Sequence, residues 1–283
     1  MPVPDLITAP QLARFVGLPD APTLLDVRAD EDFAADPRSL PGAVRRDWRT
    51  ASTWASEYAG QSVAVVCRRG LKLSQGVAAW LRHAGVRAEA LEGGFEAWAA
   101  AGVTLVRPDC VPPRDAQGRT VRVTRARPKV DRIACPWLVR GFVDPAAVFL
   151  FAAPAEVEAV AERFGATPFD VEGVFWSHRG PLCTFDAMLE EFDIQTEVLD
   201  RPAAIVRGAD TARPDLAPEG AGLLAASLGL SRMFKNDLAQ LDAGLALYDA
   251  FHRWARDATA ETHHWPAPTT PAASCRRVRI ASS

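Results

Sequence analysis

Cysteine is scarce in this chain and never paired in sequence. The five thiols, Cys67, Cys110, Cys135, Cys183 and Cys275, are odd in number and widely spaced, with no C-x-x-C among them, which argues against a disulfide framework or a zinc finger. No run of 18 apolar residues occurs, so no membrane-spanning helix is expected. The opening MPVPDLITAPQLARF carries an acid and prolines where a signal peptide needs a basic start and an apolar run. A cytoplasmic protein without membrane association is the expectation. Lysine is nearly missing as well, with Lys72, Lys129 and Lys235 against 29 arginines, so arginine as such is weak evidence for a site. There is no basic excess: residues 1–108 carry 12 basic and 12 acidic side chains, whereas residues 131–272 carry 11 and 21. That acidic second half disfavours a nucleic-acid partner, which needs a basic face. No internal repeat is visible.

What is present is ordinary globular composition, 48% hydrophobic and 24% charged, over a length sufficient for two domains. Thr8 with Gln11 reads as a capping box before a short helix, TLLDV as a buried strand and ADEDFAA as a helix. SVAVVC, LKLSQGVAAWLRHAG, VRAEALEGG and FEAWAAAG continue the alternation of strand and helix. The expected fold class is α/β, a parallel sheet flanked by helices with its loops at the carboxyl ends of the strands. Residues 109–126, proline-rich and poor in large apolar side chains, read as a linker, although TVRVTRA alternates like an exposed strand. From 127 to 260 the pattern is mixed α+β and mostly helical. DRIACPWLVRGF reads as a helix with Asp131 as N-cap, AVFLFA as a strand, PAEVEAVAERFG as a helix and VFWSH as a strand, followed by four helices. Residues 261–283 have the composition of a disordered tail.

Cys67 is the most informative residue. It ends an apolar strand and precedes a cationic, glycine-containing turn that runs into a helix, so backbone N–H groups, the helix dipole and Arg68, Arg69 and Lys72 converge near its sulfur. Those surroundings favour a nucleophilic thiolate and would hold a small dianion beside it.

Four elements of residues 1–108 occur together: DVRADEDF (26–33), LPGAV (40–44), CRRGLK (67–72) and LEGGFEAW (91–98). In this order and spacing they resemble the rhodanese family of sulfurtransferases. The resemblance implies that Cys67 is the nucleophile, that Arg68, Arg69, Gly70, Leu71 and Lys72 form the substrate cradle, and that sulfur passes through a persulfide without a cofactor. Two arginines after the cysteine resemble the thiosulfate-using members. Lys72 departs from the pattern, since a hydroxyl or an arginine is commoner there. Arg28 with Glu31 or Asp32 reads as a structural ion pair, and Gly93 and Gly94 as a tight turn.

In the second half, reactive side chains gather near expected loops: Asp131, Arg132, Cys135, Arg140, His178, Arg179, Cys183, Asp186, Arg207, Asp210 and Arg213. SHRGPLCTFD is the densest stretch. His178, Cys183 and Asp186 are candidate metal ligands, and His178 with Arg179 a candidate oxyanion grip. The blander readings are Thr184 as an N-cap with Asp186 in the first helical turn, and Cys135 as core. Trp137, Phe142, Trp176 and Phe185 read as packing. The motifs RPKVDRIACPWLVRGFVD, PFDVEGVFWSHRGPLCTFDAML, IVRGADT and GLLAASLGLSRMF resemble the carboxyl-terminal domain of the ChrB chromate-resistance family. That resemblance implies a part in tolerating chromate alongside a transporter. The combined expectation is a thiosulfate-type sulfurtransferase whose partners are a small sulfur donor and a thiol or cyanide acceptor. The alternative is a non-catalytic sensor of chromate or sulfate, and a third reading is thiol-based chromate reduction with Cys110 as the nearest resolving cysteine.

Overall fold

A computed structural model describes residues 5–261. Cys275 and the expected tail beyond residue 261 lie outside the described residues. In the first domain strands and helices alternate: β1 (Leu6–Ile7), α1 (Ala9–Ala13), β2 (Thr23–Asp26), α2 (Asp30–Ala35), β3 (Val44–Arg45), α3 (Ala51–Trp54), β4 (Ser62–Val66), α4 (Lys72–His83), β5 (Arg87–Leu91) and α5 (Gly94–Ala100). Thr8 caps α1 in the expected box with Gln11. The five strands form one parallel sheet in the order β1-β5-β4-β2-β3, as expected for an α/β fold.

The central strand explains the layering. Side chains of a strand alternate between faces, and β4 sends Val63 and Val65 into a core with Trp54, Val77 and Leu81, while Ala64 and Val66 join Leu12, Leu91 and Trp98 on the other side. A strand covered on both faces carries apolar residues throughout, which is why SVAVV lacks a polar alternation. Cys67 continues the first set. It therefore lies on the α4 face, over the start of that helix. Helix α4 buries Ser74, Val77, Ala78 and Leu81, the i, i+3, i+4, i+7 spacing of one stripe.

The second domain begins earlier than the sequence suggested. Strand β6 (Val121–Arg125) lies within the stretch read as a linker, yet it is the middle strand of a parallel sheet, β7-β6-β8, with β7 (Val148–Ala152) and β8 (Thr167–Pro168). Its alternation misled because one of its alternating polar residues, Arg122, is fully buried, packed beside the stacked rings of Trp176 and Phe192 with its guanidinium 5.3 and 5.6 Å from their centroids. Helix α6 (Asp131–Leu138) follows β6 and runs into a π-helical turn at Val139–Val143. Helix α7 (Val157–Phe164) packs on the sheet. The segment VFWSH is no strand; it makes one isolated bridge, Phe169 to Trp176, and otherwise turns. Four helices complete the domain: α8 (Thr184–Glu191), α9 (Glu197–Asp210), α10 (Glu219–Met233) and α11 (Asp237–Asp257). Their core includes Trp137, Phe142, Phe185, Phe192 and Tyr248.

The domains are in direct contact. Gly42 N–H donates to the Phe142 carbonyl at 2.6 Å, and Arg107 N–H donates to the Phe192 carbonyl at 3.2 Å. Gly17 adopts φ +73 beside Phe142 and His252, where a Cβ would come within 2.4 Å of the Phe142 ring. No described helix is long and apolar enough to cross a membrane.

Candidate functional site

The Cys67 loop is fixed by its neighbours rather than by its own side chains. Gly70 and Gly94 both have positive φ, and a Cβ on Gly94 would lie 2.2 Å from the Cys67 carbonyl oxygen and 2.4 Å from the Gly70 nitrogen. Only glycines allow the two turns to come so close. The contact is locked by hydrogen bonds from Phe95 N–H to the Cys67 carbonyl and from Glu96 N–H to the Arg68 carbonyl, at 2.9 and 3.0 Å. The amides of residues 68–71 donate to no protein acceptor among the described residues, so they are free for a ligand. The Cys67 thiol is 4% exposed and lies 3.2 Å from the Ser74 hydroxyl, which also donates to the Leu71 carbonyl. Ser74, one turn into α4, escaped the sequence reading.

The cations of the loop are not equivalent. Arg68 donates to Glu96 at 2.6 Å and to Asp32 at 3.1 Å, and Arg69 approaches the other Glu96 oxygen at 3.4 Å. Lys72 has no carboxylate partner among the described residues. The residue that departs from the family pattern is thus the one cation of the three that no acid holds. Leu71 is 57% exposed and caps α4 only through its backbone. The ion pair expected for Arg28 is corrected: its partner is Asp26, at 2.6 Å and fully buried, while Asp32 goes to Arg68. Arg28 also donates to the carbonyls of Asp36 and Arg38 and stacks over Phe95, tying the strand end to the loops around it.

In the second domain the residues that converge differ from the expected metal set. His178 Nε2 lies 3.1 Å from Asp210, 3.5 Å from Asp170 and 3.7 Å from Asp131. Cys183 and Asp186 are not with it. Cys183 is the N-cap of α8, its N–H and thiol both donating to Asp186 at 3.0 and 3.2 Å, and Asp186 is gripped at both oxygens by Arg207. Burial, then the neighbouring carboxylates of Asp131 and Asp186, push the Cys183 thiol far up, so it stays protonated. The N-cap assignment to Thr184 therefore shifts by one residue. Asp131 does not cap its own helix either: it occupies the first position of α6 and accepts from the Thr184 and Phe185 amides at 2.6 and 3.4 Å, so it stabilises the start of α8.

Asp131 is fully buried, and its carboxyl is raised well above the usual range, first by that burial and then by Asp210 and Asp170. Asp210 is raised for the same reasons. Asp170 joins the group from the loop after β8, where its Oδ2 meets Arg125 and Arg132, each at 3.2 Å, and its Oδ1 accepts from Thr184 Oγ1 at 3.1 Å. Asp170 was missed in the sequence; its only signal there is the PFDVEG turn. Arg179 turns away to Glu191, at 2.6 Å, so it does not share an oxyanion with His178. Arg140 approaches Asp242 and Arg213 pairs with Asp215. Cys135 is wholly core, its thiol held up by burial first and by Asp131 next. Cys110 donates to Glu191 in the second domain.

A parallel five-stranded sheet with a cysteine loop at the carboxyl end of its middle strand defines the first domain as rhodanese-like, and residues 8–101 match the family model of the rhodanese-like domain. Residues 122–255 match the model of the ChrB C-terminal domain. Two successive stretches of the chain are therefore similar to two different families, the rhodanese-like domain first and the ChrB C-terminal domain second. Among curated proteins it is similar to ChrB of Cupriavidus metallidurans, 33% identical over 132 residues, which is 46% of this chain and 39% of that protein's length. Among solved structures it is similar to a thiosulfate sulfurtransferase from Pseudomonas aeruginosa, at 29% identity and a TM-score of 0.32, covering 37% of this chain and 19% of the other. A rhodanese-related protein from Thermoplasma volcanium aligns at 24% identity and a TM-score of 0.31, over 35% of this chain and 95% of its own.

Proposed function

We propose that the chain is a thiosulfate-type sulfurtransferase that works through a Cys67 persulfide and serves chromate tolerance. The observation that carries this reading is the Cys67 loop itself, in which a thiol at the start of α4 is followed by four amides that have no protein acceptor among the described residues. The sulfonate end of thiosulfate would accept hydrogen bonds from the amides of residues 68–71, with Lys72 as the cation free to approach it. The Cys67 sulfur then attacks the outer sulfur of the donor. A bond forms between the two sulfurs, the donor's own S–S bond breaks, and sulfite leaves with the electron pair. An acceptor such as cyanide or a thiol attacks the outer persulfide sulfur and returns Cys67 as thiolate. Ser74, within 3.2 Å, supports the sulfur whenever it carries charge.

The test is thiocyanate formation from thiosulfate and cyanide. Cys67→Ser should lower turnover by at least about a thousandfold; unchanged turnover overturns the mechanism. A second reading, an oxyanion sensor without turnover, is favoured by the 4% exposure of Cys67 and by the hold of Glu96 on both arginines. Chromate binding by calorimetry, with no persulfide formed from thiosulfate, would select it. A cytoplasmic location and a link to a chromate transporter belong to the same proposal.

A further inference from the structure

We infer that the second domain binds one divalent cation of the hard, oxygen-preferring class between Asp131, Asp170, Asp210 and His178. Four elements bring these side chains together: the first turn of α6, the loop after β8, the turn before α8 and the last turn of α9. One ligand atom from each of Asp131, Asp170 and His178 can be chosen so that all lie within 4.8 Å of one another, and Asp210 stands 3.1 Å from the imidazole Nε2. Ligands bound at about 2.1 Å to one ion lie about 3.0 Å apart in octahedral and about 3.4 Å apart in tetrahedral geometry. The imidazole-to-carboxylate separations of 3.1, 3.5 and 3.7 Å are of that size before any ion draws them in.

A second observation points the same way. Asp131 is 0% exposed; its Oδ2, the oxygen 3.7 Å from His178 Nε2, accepts the Thr184 and Phe185 amides, while its Oδ1 has no partner among the described residues. A buried carboxylate oxygen left bare is costly, and a cation would relieve it. The outer contacts are those of an oriented ligand shell: Thr184 N–H holds Asp131, Thr184 Oγ1 holds Asp170 Oδ1, and Arg125 and Arg132 hold Asp170 Oδ2. Entry is open, because His178 and Asp210 line a surface pocket with Gly180, Thr211 and Arg207. The donor set selects the ion. Three carboxylates and one imidazole, with Cys183 and Cys135 kept as thiols elsewhere, suit Mn²⁺, Fe²⁺ or Mg²⁺ rather than a thiolate-seeking metal.

The competing arrangement is an ion-pair network in which a protonated His178 and the two arginines neutralise the three acids and no cation binds. Titrating chelator-treated full-length protein with Mn²⁺, and reading free Mn²⁺ by electron paramagnetic resonance, separates the two. The expected result is one Mn²⁺ per chain, with His178→Ala and Asp210→Asn each weakening binding about 10- to 100-fold. Both positions are nearer the surface than Asp131, and circular dichroism of each variant confirms its fold. Cys67→Ser should bind Mn²⁺ as the natural chain does. Mn²⁺ should also raise the melting temperature of the natural chain and not of His178→Ala. No stoichiometric binding, or binding by both variants as tight as by the natural chain, overturns the site.

Discussion

The Cys67 loop and the Asp131–Asp170–Asp210–His178 cluster are opposites in charge and in construction. The loop gathers free amides and cations at a helix start, an arrangement for an anion; the cluster gathers buried carboxylates around an imidazole, an arrangement for a cation. The loop is six consecutive residues, 67–72, whereas the cluster is drawn from positions 131, 170, 178 and 210. Contiguity is what makes chemistry readable in a sequence. A strand, a cysteine, two arginines, a glycine and a helix must lie side by side, but residues 40 apart meet only after the fold has chosen its register.

The largest effects should break the comparison cleanly. Cys67→Ser removes sulfur transfer and leaves Mn²⁺ binding unchanged, whereas His178→Ala does the reverse; crossed effects in either assay would show that the sites are one. Next comes Gly94→Ala, which puts a methyl 2.2 Å from the Cys67 carbonyl at a positive φ. Displacing the loop by that collision should lower thiocyanate formation on the order of a hundredfold and cost about 2 kcal/mol or more in urea denaturation.

Acid should weaken the boundary between the two regions. His252 on α11 is 2% exposed, faces Phe142, Trp137 and Gly17, and is pushed down to about 4 from 6.5, first by burial and then by Arg256. The unfolded chain therefore takes up the proton first. This contribution to stability is complete above pH 6.5 and falls by up to about 3 kcal/mol as pH drops toward 4. Urea midpoints across that window should slope for the natural chain and flatten for His252→Phe, so equal slopes would remove His252 from the account.

The smallest effects sharpen the anion side. Glu96→Gln frees Arg69, leaves Arg68 held by Asp32 alone and should lower the KM for thiosulfate about two- to fivefold, whereas Lys72→Ala should raise it by a similar factor, as expected of single exposed charges. A Lys72→Ala enzyme with unchanged KM would mean that the amides alone hold the donor.

Most of the first domain was legible because each step there is local. Val-rich β4 announces a strand covered on both faces, Thr8 and Gln11 announce the start of α1, and paired glycines announce the turn against the Cys67 loop. Failures came where tertiary contacts reassign a group. TVRVTRA reads as an exposed strand because Arg122 looks solvent-facing, and only the packing of that side chain beside the Trp176 and Phe192 rings shows that β6 is central. Asp131 reads as the cap of the helix it begins, and only packing reveals that it caps α8. Cys183 and Asp186 look like ligands for His178 because they are near in sequence, yet the helix start binds them to each other. Asp170 carried no signal beyond a turn.

The most direct test of the central claim is intact-protein mass spectrometry after brief exposure to thiosulfate. The natural chain should gain the mass of one sulfur atom, located at Cys67 and removed by cyanide, and Cys67→Ser should gain nothing. A natural chain that gains no sulfur, or a Cys67→Ser chain that still does, would contradict it.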